Sequence, residues 1–171
     1  MKLTLLSLLT MLVVSPIWPL GENPTVGDPF LIVNVESNEL AYINDGDIQE
    51  VYKVATGKDG DETPTGTFSI IVKAKDPYYR KKDIPGGDPN NPLGTRWIGF
   101  NANDTDGRIF GIHGTNRPDS IGQAVTGGCI RLPNEIVEKL FDEIPLGTKI
   151  YITNKEETFI EVAQSFGAIE S

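Results

Sequence analysis

Cysteine and histidine are almost missing from this 171-residue chain, which carries one of each, Cys129 and His113. A single Cys excludes an internal disulfide, and one Cys with one His cannot supply the three or four ligands of a zinc site. Positive charge is also scarce: 15 Lys and Arg stand against 24 Asp and Glu, a formal net charge of −9. No basic stripe offers itself to phosphates, so no nucleic-acid partner is expected. There is no P-loop, dinucleotide fingerprint or serine nucleophile elbow. Asp104 and Asp106 in NDTDG hint at calcium, but the EF-hand loop pattern is missing and the segment reads as a turn. Neither a metal nor a cofactor is expected.

Long apolar runs are lacking too. Leu3 to Val14 is almost wholly apolar, but it falls short of the ~20 residues that span a bilayer. It follows Lys2 and precedes Ser15, Pro16 and Pro19, which suits the apolar region of a secretory signal. Residues 1–20 therefore read as a signal peptide or, since no clear cleavage site follows, as an N-terminal anchor that would hold the protein at the membrane. Either way the chain is expected outside the cytoplasmic membrane, secreted or at the cell wall. A lone thiol kept in an oxidising compartment suggests a task for it.

What is present is an ordinary globular composition, 39% hydrophobic and 23% charged, enough for one domain. Short β-rich runs recur at 30–35, 39–43, 48–55, 67–73, 96–100, 108–112 and 149–153, with Gly, Pro, Asn and Asp between them. That spacing predicts an all-β sandwich or barrel. One helix is expected after Cys129, because Ile136, Val137, Leu140, Phe141 and Ile144 share a helical face; Asn134 would cap it, and Pro145 with Gly147 would end it. Residues 76–95 have no apolar period and read as a long surface loop of the kind that covers a site.

The two rare residues fall close together. His113 lies in GIHGTN and Cys129 sixteen positions later in TGGCIRLPN, both rich in glycine. An imidazole beside a thiol can lower its pKa, take its proton and return it to a leaving amine. Gly127, Gly128 and Cys129 offer consecutive backbone N–H groups to an oxyanion. Arg131 projects on the same side as Cys129 if the segment is extended, and its guanidinium suits a substrate carboxylate. No second titratable residue is placed to orient His113, which leaves a backbone carbonyl such as that of Gly114. Each feature has a bland reading, including an Arg131–Glu135 pair and a Cys used as filler; their joint occurrence favours an acyl-transfer enzyme.

The string from His113 to Asn134, with Thr126-Gly127-Gly128-Cys129-Ile130-Arg131, resembles the signature of the L,D-transpeptidase catalytic domain (YkuD type). ETPTGTFSI (62–70) and RWIGF (96–100) resemble two further segments of that family, in the same order. The resemblance implies a mainly β, sandwich-like catalytic domain over residues 28–153, with one main helix after the Cys, a loop over the cleft and a C-terminal extension at 154–171. It implies Cys129 as nucleophile, His113 as base oriented by the Gly114 carbonyl, and Gly128 with Cys129 as oxyanion donors. Arg131 would lie near the scissile group, and Thr126, Gly127 and Trp97 would line the substrate site. The partners implied are peptidoglycan stems, a tetrapeptide donor and a diamino-acid acceptor, joined in a 3→3 cross-link through a thioester. A carboxypeptidase using water as acceptor, or a non-catalytic wall-binding protein, would share the cleft. Many members carry a second His where this chain has Gly127, and no separate wall-binding module such as a LysM repeat is evident.

Overall fold

The first strands follow from apolar runs cut by tight turns. β1 (Phe30–Asn34), β2 (Glu39–Asn44) and β3 (Asp47–Lys53) succeed one another as antiparallel neighbours in a computed structural model that describes residues 23–171. The expected leader at 1–20 lies outside the described residues. Asp45 (φ 52°) and Gly46 (φ 77°) turn the chain between β2 and β3 in the left-handed region that such two-residue hairpins need. β1 is buried along its whole length, as a strand covered on both faces must be.

The remaining elements are β4 (Thr56–Gly57), β5 (Gly66–Lys75), β6 (Arg96–Phe100), β7 (Phe110–His113), β8 (Ala124–Thr126), β9 (Ile130–Arg131), α1 (Asn134–Glu143), β10 (Lys149–Thr153) and α2 (Phe159–Ser165). One curled eight-stranded sheet runs β3-β2-β1-β10-β5-β6-β7-β9, and β4 pairs with β8 apart from it. β10 lies parallel to β1 and β9 parallel to β7; the other neighbours in the large sheet are antiparallel. Leu31 and Val33 face one way into the main core with Leu140 and Phe141 of α1. Phe30 and Ile32 face the other way, against Val162 and Ala163 of α2. The mainly β architecture expected from the sequence is therefore the one observed.

Several local features differ from expectation. β4, β8 and β9 are too short to leave a periodic signal. α2 falls in the C-terminal segment, where no element was foreseen; Thr158 and Glu161 form a reciprocal capping box that starts it. Asn134 does not cap α1. Pro133 holds the N-cap position, Asn134 is the first helical residue, and its side chain is used elsewhere.

Candidate active site

His113 is the last residue of β7, where it opposes Trp97 of β6 on one side and Arg131 of β9 on the other. It is only 4% exposed. Its Nδ1 lies 2.6 Å from the Gly114 carbonyl oxygen. A carbonyl only accepts, so Nδ1 carries the proton and the lone pair falls on Nε2. The Trp97 ring stacks on the imidazole with centroids 5.7 Å apart and planes 11° apart, while its Nε1 donates to the Gly107 carbonyl at 2.8 Å. Gly111 makes room for this, since a Cβ there would sit 2.7 Å from the indole. Burial pushes the His113 pKa down to about 4; the Gly114 carbonyl opposes that shift, the Arg131 charge adds to it, and the Leu93 carbonyl of the long loop opposes it. The imidazole is thus neutral near pH 7, with a free lone pair.

The Cys129 loop is held by one hydroxyl. Thr126 Oγ1 donates to the Cys129 carbonyl at 2.6 Å and accepts from the Gly128 N–H at 3.1 Å. Gly128 has φ 105°, with the Phe110 ring 3.1 Å from where a Cβ would sit, so both conformation and space require glycine. Gly127 is exposed and would meet nothing with a side chain. Cys129 keeps part of its surface open, and its Sγ donates to the Ile109 carbonyl at 3.4 Å. Burial raises the thiol pKa, against the lowering influence of the Gly111 N–H, Lys81 and Arg131. Sequence suggested that the imidazole would lower it. A neutral imidazole carries no charge with which to do so, and desolvation wins. The resting pair is neutral thiol and neutral imidazole.

The other expected site residues separate into two groups. Gly114 does orient His113, and the charge of Arg131 reaches both the imidazole and the thiol. Thr126 and Trp97, expected to line the substrate site, are buried at 2% and 8% exposure with their polar atoms engaged inside the protein; they shape the Cys loop and brace the imidazole. The Gly128 N–H, expected as an oxyanion donor, is already taken by Thr126, which leaves the loop N–H groups of Gly127 and Cys129 to be offered. Arg131 makes no ion pair with Glu135. Its Nη1 reaches the Ser120 hydroxyl at 3.4 Å, and its buried Nε has no partner.

Sequence reading missed Asn134. Its Oδ1 accepts from the Thr115 N–H at 3.0 Å and the Thr95 N–H at 3.4 Å, tying the segment after His113 to the end of the long loop. Gly94 and Gly114 flank that oxygen so closely that neither position has space for a Cβ. Nothing about a polar residue before a helix distinguishes this tether from a cap. The long loop itself is ordered by Asn91, whose amide donates to the carbonyls of Pro77 and Pro85 at 2.8 and 3.1 Å. Among the described residues, no group of three or more His, Cys, Asp or Glu could hold a metal ion.

The model of the L,D-transpeptidase catalytic domain, YkuD, matches residues 28–152. The chain belongs to this family. It is 59% identical to YqjB of Bacillus subtilis strain 168, assigned to the L,D-transpeptidases, over 89% of this chain and 86% of that protein. It is 34% identical to YkuD of the same strain over 75% and 71%. Among solved structures, an L,D-transpeptidase from Mycobacterium smegmatis shares the fold at TM-score 0.60 and 22% identity, covering 73% of this chain and 58% of that one. An Enterococcus faecium L,D-transpeptidase with a Cys-to-Ser substitution does so at 0.59 and 21%, covering 75% and 50%. The chain thus spans between half and three fifths of those two structures. The family is one of acyltransferases that act on peptidoglycan stems, and its signature falls here on His113 of β7 and on Cys129, the residue before the neighbouring strand β9.

Proposed function

We propose that this protein is an exported L,D-transpeptidase that makes 3→3 peptidoglycan cross-links through a thioester on Cys129. The observation that carries the reading is the His113 Nδ1 to Gly114 carbonyl bond, because it dedicates Nε2 to accepting a proton on the strand next to the one that follows the lone thiol. In the first half-reaction the thiol turns from the Ile109 carbonyl and gives its proton to Nε2. Sγ attacks the carbonyl of the diamino acid in a tetrapeptide stem, and the Cys129 and Gly127 N–H groups receive the oxyanion. The C–N bond to the terminal D-alanine breaks, and its amine leaves with the proton from His113. In the second half-reaction the side-chain amine of another stem attacks the thioester, giving its proton to Nε2. The C–S bond breaks, an amide remains, and the proton returns to sulfur.

Export rests on the apolar segment 3–14, and a retained leader would keep the enzyme at the outer face of the membrane. The deciding experiment is incubation of purified protein with tetrapeptide muropeptides, followed by mass analysis. Wild type yields 3→3 dimers and Cys129→Ala yields none. Shortened stems without dimers would make the protein an L,D-carboxypeptidase, and unchanged stems would sink both.

A further inference from the structure

Acidic residues outnumber basic ones by nine, yet the cationic side chains around the thiol are left without acidic partners. The ion pairs among the described residues are Lys53–Glu39, Lys58–Asp61 and Arg108–Asp106, none of which involves the cleft. Arg131 is half-buried, holds only the long contact to Ser120, and has a buried Nε without a partner. A buried cation in that condition carries an uncompensated desolvation cost, which an anion from outside relieves.

Ser120 connects this guanidinium to the main chain of Arg117. The serine is 3% exposed, and its hydroxyl donates to the Arg117 main-chain carbonyl at 2.7 Å and accepts from Arg131 Nη1. The Arg117 N–H in turn donates to Thr115 Oγ1 at 2.9 Å, and Thr115 is anchored by Asn134. Arg117 is exposed, and its charge is near enough to add to the burial that already disfavours the Arg131 cation. The Arg117 backbone is thus fixed beside the Arg131 guanidinium, and neither arginine is in an ion pair among the described residues, so the two cations present a receptor for an anion.

We propose that Arg117, positioned with Arg131 through Ser120, is a specificity residue that binds the free carboxylate of the amino acid leaving the donor stem. This rests on the transpeptidase reading above and goes beyond it by assigning a role to Arg117, a residue of the His113–Asn134 string to which the resemblance gives none. A carboxylate in that receptor sits one residue from the scissile bond. A donor ending in a neutral amide loses the charge-assisted contacts, and its acylation slows by roughly tenfold to a hundredfold.

The test uses two synthetic donor tetrapeptides, one ending in a free D-alanine carboxylate and one in D-alaninamide. Acyl-enzyme formation is followed by intact mass for wild type, Arg117→Gln and Arg117→Lys. Wild type should prefer the free acid by at least tenfold. Arg117→Gln should bring the ratio close to one by slowing only the acid, and Arg117→Lys should restore part of the preference. Alkylation of Cys129 by iodoacetamide should proceed at one rate in all three proteins, which reports an intact cleft. Equal acylation of wild type by both donors overturns the proposal and leaves the transpeptidase reading standing. Equal slowing of both donors in Arg117→Gln overturns it as well, since Arg117 would then be structural. No acylation of wild type by either donor overturns the transpeptidase reading, and the receptor with it.

Discussion

The two ends of the curled sheet are built by different rules. At one end, inside the exposed edge strand β3, apolar side chains of β2, β1 and β10 fill both faces: α1 and the main core lie on one side, and Phe30, Ile32, Ala41 and Ile43 meet α2 on the other. Phe166 packs there between Phe30 and Tyr151, with ring centroids 5.1 and 4.9 Å away. At the β6-β7-β9 end the sheet holds a buried imidazole, an incompletely partnered guanidinium and a thiol, and glycines at 99, 111, 114 and 128 clear space around them. The first end gains stability from area removed from water. The second gives some up, because neutral burial of His113 and the unpaired Arg131 Nε both cost free energy.

The sharpest break between the ends should come from one substitution in each. Cys129→Ala should lower dimer formation by roughly 10⁴-fold or more while leaving the thermal midpoint within a few degrees. Phe166→Ala should do the reverse, costing about 2 kcal/mol in urea unfolding with turnover per folded molecule unchanged. A fall in turnover per folded molecule with the second variant would show that the two ends are not separable.

Acid should expose the cost at the site end next. The folded His113 pKa is about 4 and the unfolded value is about 6.5, so between them the unfolded chain binds a proton that the native one refuses. Its contribution is therefore complete above pH 6.5, declines as pH falls to about 4 and levels off below. The span is about 3 kcal/mol, and His113→Gln should flatten that part of the curve. By the same shift, the acid limb of the rate should lie near pH 4, not near 6.5.

Smaller effects should sharpen the contrast. Asn134→Ala leaves the Thr95 and Thr115 N–H groups without their acceptor. It should cost about 1–3 kcal/mol and also reduce turnover per folded molecule, unlike Phe166→Ala. Finally, the neighbouring glycines should behave oppositely in thermal melts. Gly128→Ala should lose about 1–2 kcal/mol to its positive φ and the Phe110 contact, whereas Gly127→His should change stability by less than about 0.5 kcal/mol. Position 127 is therefore open to a larger side chain.

Seven β-rich runs and one amphipathic pattern were legible because alternation and helical spacing are local, and each follows from the face that a segment buries. The chain by itself also determined the chemistry available, since one thiol and one imidazole in glycine-rich surroundings restrict the reactions open to it. It did not disclose α2, although Thr158 and Glu161 stood at capping-box spacing. Only the tertiary structure decided how the site residues are used. It assigned Thr126 and Trp97 to support, engaged the Gly128 N–H, and turned Asn134 from an apparent helix cap into a tether between two loops. It also left the thiol protonated, because pKa values follow from burial and from neighbours distant in sequence. Residue type fixes what a side chain can donate, accept or attack; which partner it meets, and in what dielectric, is a property of the fold.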